Sequence, residues 1–131
     1  MLEVDPAEDK PFLCKETTEK IIGAAFEVHR ELGYGFLERV YQRALRVELL
    51  RKGVPTEIEG RIQVQYKGVV VGDHDADLIV DEVVGVELKV APQYDKCDEA
   101  QLLNELKVTG LKVGLLINFG RTKVEYNRLA F

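Results

Sequence analysis

The stretch Asp77-Leu-Ile-Val-Asp-Glu-Val-Val-Gly-Val-Glu87-Leu-Lys89 concentrates the groups of this chain that could do chemistry. Side chains alternate faces along a strand, so Glu87 and Lys89 leave one face together while Val86, Leu88 and Val90 enter a core on the other. Asp77 stands between Ala76 and Leu78 and leaves its own strand opposite that apolar pair. A tight turn at Asp81-Glu82 pairs the two segments and can bring Asp77 beside Glu87. Two carboxylates held together repel unless a proton or a cation sits between them. Oxygen-only ligands suit a hard cation such as Mg²⁺ or Mn²⁺. A lysine two residues from such a carboxylate can orient a water or offset charge developing on a phosphate. On an exposed strand, Glu-x-Lys is a solvated ion pair worth little. This strand leads into a helical crossover and belongs inside a sheet, where charges need a reason.

Other residues carry weaker signals. Glu38 follows a glycine hinge and sits one turn from Tyr41 and Gln42 on a helix; a glutamate there is also simply favoured by the helix dipole. Tyr41 reads as a packing aromatic whose hydroxyl finds a partner. Asp73-His74-Asp75 reads as a polar turn, with His74 close enough in sequence to Asp77 to reach a metal or a phosphate. His29 reads as a boundary residue. Arg39, Arg43 and Arg46 recur along one helix, as a solvated face or as phosphate contacts. Cys14 and Cys97 belong to no CxxC pair, so zinc is unsupported and both read as reduced thiols. No Ser-His-Asp set, P-loop or GxGxxG is present.

The elements that must position these residues follow from periodicity. Ile22, Ala25, Phe26 and Leu32 predict a helix over Thr17 to Leu32, capped by Thr17 or Thr18, with Gly33 in the left-handed C′ position. Gly33-Tyr34-Gly35 makes a hinge. A second helix runs from about Phe36 to Lys52, with an apolar stripe of Leu37, Val40, Tyr41, Ala44, Leu45 and Leu49, ended by Gly53 and Pro55. Ile62, Val64 and Tyr66 alternate with glutamines as a half-buried strand, Lys67-Gly68 turns the chain, and Val69 to Val71 begins the return. Ala76 to Val80 and Val84 to Val90 are two further strands. Asp95 to Val108 is a helix stopped by Gly110, Leu111 to Asn118 an apolar, central strand, and Thr122 to Leu129 a last strand. The order αα-ββββ-α-ββ contains one β-α-β unit, which requires a parallel pair with a right-handed crossover. The fold class expected is α/β: a mixed central sheet flanked by helices.

The chain has 131 residues, 46% of them hydrophobic and 31% charged. That suits one globular domain, residues 15–131, behind a flexible leader of residues 1–14. No apolar run approaches the ~20 residues of a membrane-spanning helix, and the acidic start resembles no secretory signal. No membrane partner is expected, and the cytoplasm is the default location. The net charge of −5 argues against non-specific nucleic-acid binding through bulk charge. A small carboxylate site that meets phosphate through a metal stays open.

At two places the sequence resembles a known family. Asp77 followed by Glu87-Leu88-Lys89 looks like the D-x(n)-E-x-K core of the PD-(D/E)XK nuclease superfamily. Gly35-Phe-Leu-Glu38-Arg-Val-Tyr41 is similar to the G-x-x-E-x-x-Y signature of the small bacterial GxxExxY proteins grouped with it. Ile22 to Gly33, Ala100-Gln101-Leu102-Leu103 and Thr109 to Phe119 resemble the family's first helix, closing helix and closing strand, so the likeness spans about Ile21 to Phe119. Ala76 stands where the older pattern has a proline.

The resemblance implies a restriction-endonuclease-like core. It also implies Asp77, Glu87 and Glu38 as ligands of Mg²⁺ or Mn²⁺, with the Leu88 backbone carbonyl as a further one. Lys89 would position the attacking water, and Gln101 would stand near the site; with Glu38 these form the implied catalytic set. The activity implied is phosphodiester hydrolysis of DNA or RNA. The alternative is a catalytically quiet nuclease-like module that works through a protein partner or as a homodimer.

Overall fold

The computed structural model describes residues 14–130 and, within them, the side chains of all but residues 59–62, 74 and 108. Apart from Cys14, the expected leader lies outside the described residues. In chain order the elements are α1 (Lys15–Leu32), α2 (Glu38–Arg51), β1 (Thr56–Tyr66), β2 (Val69–Val80), β3 (Val84–Lys89), α3 (Lys96–Thr109), β4 (Val113–Phe119) and β5 (Val124–Ala130). The strands form one sheet in the order β1-β2-β3-β4-β5. β3 and β4 pair in parallel, because α3 carries the chain back to its starting end. The remaining pairs are antiparallel. This is the mixed sheet that the element order predicts.

Helices cover both faces. Ile21, Ala25 and Val28 of α1 and Tyr41, Leu45 and Leu49 of α2 meet Leu78, Val86, Leu88, Leu115, Ile117 and Phe119 in the main core. Leu102 and Leu106 of α3 close a smaller core over Leu116 on the opposite face. β4 is buried at every position, which its unbroken apolar run Val-Gly-Leu-Leu-Ile-Asn-Phe foretells. Each large aliphatic side chain buried in this way contributes roughly 1.5–3 kcal/mol. The turn at Asp81-Glu82 is as expected, with both residues at positive φ (52° and 61°) and the Val83 N–H donating to the Val80 carbonyl at 3.1 Å. That geometry matches the twist of the strands it joins.

Several expectations need correction. Val69–Val71 and Ala76–Val80 are one strand, so the described residues hold five strands and not six. Asp73-His74-Asp75 is no turn: it pairs with Arg61, Ile62 and Gln63 of β1. Two-stranded pairing satisfies the backbone there while Asp73 and Asp75 stay in water, so polar side chains do not interrupt the strand. β1 is correspondingly longer than Ile62–Tyr66, and Tyr66 is exposed. Helix α1 starts at Lys15, so neither Thr17 nor Thr18 caps it; Thr18 Oγ donates to the Lys15 carbonyl from inside the first turn. Gly33 has a positive φ of 71° but a ψ of −161°, outside the left-handed helical well. Leu37 is extended, so α2 begins two residues later than Phe36. Leu37, Val40 and Phe26 are exposed, because the sheet covers narrower helix faces than the apolar stripes allow.

Candidate metal centre

The ladder between β2 and β3 runs from Val80↔Val84 to Leu78↔Val86 and stops. The next residue on β2 is Asp77, and its side chain takes over from the backbone. The Leu88 N–H donates to Asp77 Oδ2 at 2.8 Å. The N–H and C=O of a strand residue point to the same edge, which turns the Leu88 carbonyl toward this fork as well. The Asp77 backbone carbonyl is also engaged, accepting from Gln42 Nε2 at 2.9 Å. Gln42 is buried, so that bond has little competition from water.

Glu38 enters the fork from the first turn of α2. Gly35, at φ 116°, gives the preceding hinge a conformation that other residues resist. Tyr41 closes the hinge: its hydroxyl donates to the Gly33 carbonyl at 2.5 Å and accepts from the Phe36 N–H at 3.4 Å. Its ring stacks on Phe119 with centroids 4.5 Å apart. Tyr41 is therefore the packing aromatic with a partnered hydroxyl that the sequence suggests. Gly35 bends the chain, Tyr41 pins the bend, and Glu38 is delivered beside Asp77, close enough to feel its charge. Burial and then the Asp77 charge raise the Glu38 pKa, against the pull of Lys89.

Glu87 and Lys89 leave β3 toward α3. Burial first, then the charges of Asp77 and Glu105, push the Glu87 pKa from 4.5 up to about 8, with Lys89 opposing. Glu87 is therefore largely protonated at neutral pH, and its contact with Asp77 adds to the rise. Lys89 Nζ lies 3.9 Å from Asp98 Oδ1 on the first turn of α3. That helix begins where the sequence places it: Asp95 accepts from the Cys97 N–H at 2.8 Å, the bond expected of an N-cap. Gln101 shares a small cleft with Glu87, Lys89, Asp98 and Glu105, and its Nε2 is 3.5 Å from Glu105 Oε1.

Asp77, Glu87, Glu38 and Lys89 are thus brought together, the Leu88 backbone forms part of the fork, and Gln101 stands at its α3 side. Four contributors were not singled out from the sequence: Gln42, Asp98, Glu105 and Asn118. Asn118 is buried and brackets the chain just beyond Lys89, donating to the Ala91 carbonyl and accepting from the Ala91 N–H, both at 2.9 Å. A polar residue inside an otherwise apolar strand is the signal that could have found it. His29 serves as a boundary residue, its Nε2 2.8 Å from the Gly120 carbonyl. Arg46 Nε donates to the Thr56 carbonyl at 3.1 Å, while Arg39 and Arg43 are exposed. The His74 side chain lies outside the described residues, and Cys14 and Cys97 are free thiols.

Among the described residues no three His, Cys, Asp or Glu side chains already converge as a metal site. The Asp77 charge raises the proton affinity of both Glu38 and Glu87, and carboxyl groups crowded in this way are a donor set a hard divalent cation neutralises, so the chemistry of the set fits such an ion.

Two solved structures are similar to parts of this chain. The crystal structure of SSO0001 is similar over 70% of this chain, with a TM-score of 0.54 and 16% identity, and the match spans 48% of that chain. The crystal structure of an alkaline exonuclease (LHK-Exo) from Laribacter hongkongensis aligns with 86% of this chain and 81% of its own, at a TM-score of 0.43 and 10% identity. No curated protein sequence matches the chain. The family model of the PD-(D/E)XK nuclease superfamily matches residues 15–129, nearly everything from the start of α1 to the end of β5. The chain belongs to the PD-(D/E)XK nuclease superfamily.

Proposed function

We propose that this chain is a divalent-metal-dependent phosphodiesterase acting on DNA or RNA, of the GxxExxY type. The observation that carries the reading is the meeting of Glu38 and Glu87 on Asp77, with Lys89 close enough to oppose the pKa shifts of both glutamates. Glu38, Asp77 and Glu87 would hold Mg²⁺ or Mn²⁺, with the Leu88 carbonyl completing the set. When bound, such a cation supplies Lewis-acid polarisation of a phosphoryl oxygen. Lys89 orients the attacking water and offsets charge developing on the phosphate. Asp98, 3.9 Å from the ammonium, restrains the lysine on the α3 side of the fork. Gln101 lines the cleft and is placed to hydrogen-bond a phosphate oxygen or the water. The net charge of −5 leaves substrate affinity to local cations such as the exposed Arg39 and Arg43.

The test is incubation of the purified protein with single- and double-stranded DNA and RNA, with Mg²⁺, with Mn²⁺ and with EDTA. Cleavage that needs metal and stops with EDTA is the expected result; intact substrate under every metal condition counts against it.

One observation favours a second reading, a nuclease-like module acting through a protein partner or as a homodimer. Leu37, just before α2, and Val47 and Leu50 on it are exposed, which water does not favour. Under that reading the wild type cleaves nothing, and its mass in light scattering exceeds that of one chain.

A further inference from the structure

The Glu38 carboxyl and the Asp77 carboxyl come from elements far apart in sequence, and only the docking of α2 against β2 decides how closely they meet. Packing alone leaves such a helix some freedom to slide, because apolar contacts have no direction. Gln42 supplies a directional contact between α2 and β2. Gln42 stands one turn after Glu38 on α2, on the same side of the helix. Its side-chain amide donates to the Asp77 backbone carbonyl at 2.9 Å across 35 residues of sequence. Gln42 is buried, with only 5% of its surface exposed. A buried amide among Tyr41, Leu45 and Leu49 is an unfavourable choice for packing by itself. The carbonyl it holds belongs to the same residue whose carboxylate meets Glu38 and Glu87.

We infer that Gln42 is a positioning residue of the metal site: its bond to the Asp77 backbone fixes where Glu38, one turn earlier, meets the Asp77 carboxylate. Gln42 touches neither metal nor substrate in this arrangement. It acts through Glu38, by locking the register between the helix that carries one ligand and the strand that carries another. Groups behind a ligand shell commonly change metal affinity by about 10–100-fold when removed. The inference rests on the metal-site reading given above.

Four proteins test it by calorimetric titration with Mn²⁺: the wild type, Gln42→Met, Glu38→Gln and the double variant. Methionine keeps the volume and removes the donor. Gln42→Asn, whose amide falls one methylene short, serves as the second variant should methionine disturb folding. The expected result is that Gln42→Met weakens Mn²⁺ binding by about 10-fold or more. In the Glu38→Gln background the same change should alter binding by less than about threefold, because the ligand through which Gln42 acts is gone. Equal losses in both backgrounds would show a general structural role and overturn the inference. So would unchanged Mn²⁺ binding by Gln42→Met and Gln42→Asn when the wild type binds. A wild type that takes up no Mn²⁺ is a different result: it removes the metal-site reading itself, and the inference with it.

Discussion

The Asp77 carboxylate accepts the Leu88 backbone N–H at 2.8 Å, at the point where β2 and β3 cease to pair. One side chain thereby finishes a sheet ladder and stands among the acidic groups of the site. The two duties separate by substitution. Asp77→Asn keeps an oxygen for the Leu88 N–H and removes the charge; Asp77→Ala leaves that N–H unsatisfied. In metal-free buffer, denaturant unfolding should find Asp77→Ala less stable than Asp77→Asn by about 1–3 kcal/mol. Equal stabilities would show that the Leu88 bond has no energetic weight.

The raised pKa of Glu87 makes stability depend on pH in a definite direction. The folded protein holds the proton up to about pH 8 and the unfolded chain releases it near 4.5. Below 4.5 both states are protonated and the contribution is complete. It is lost as pH rises through the window to 8, because the folded state binds more protons there. Glu87→Gln cannot ionise and should escape this loss. At pH 8 without metal it should melt higher than the wild type by at least about 4 °C, the shift that 1 kcal/mol produces in a domain near this size. Parallel melting curves across pH 5–8 would contradict the shift.

Metal should reverse that penalty. A cation bound to the folded state alone stabilises it by mass action, by about 2.7 kcal/mol at one hundred times its dissociation constant. Millimolar Mn²⁺ or Mg²⁺ should raise the melting temperature of the wild type and leave Asp77→Asn unmoved. Because the cation displaces the Glu87 proton, affinity should climb about tenfold per pH unit below pH 8 and level off above it. A melting temperature indifferent to both metals would favour the binding-module reading.

Tyr41→Phe removes the hydroxyl that pins the Gly33–Phe36 hinge and keeps the ring stacked on Phe119. The half-buried Gly33 contact is lost with no protein replacement, so unfolding should cost about 1 kcal/mol less than for the wild type. Denaturant midpoints measure this; an unchanged midpoint would mean the hinge is set by Gly35 alone.

What was legible in the sequence was what short-range rules control. Alternation put Glu87 and Lys89 on one side of β3, two turn residues announced the reversal at Asp81-Glu82, and the β-α-β order required the parallel pair. Asp73–Asp75 misled because a strand paired on one side needs no buried face, and the alternation rule assumes one. Leu37 and Val40 misled because an apolar stripe shows a helix face without showing how far the sheet reaches across it. Gln42 and the Leu88 N–H were invisible for a different reason. Their partners lie 35 and 11 residues away, and a backbone group carries no sequence signal.

Lys89 is proposed to do chemistry beside a carboxylate-held metal. The decisive measurement is cleavage of a labelled nucleic acid under saturating Mn²⁺, comparing the wild type with Lys89→Ala. Lys89→Ala should still bind Mn²⁺ in a thermal shift, since the ligands are intact, while its cleavage rate should fall by about 100-fold or more, the scale of a lost electrostatic stabiliser. Cleavage by Lys89→Ala at the wild-type rate would contradict it.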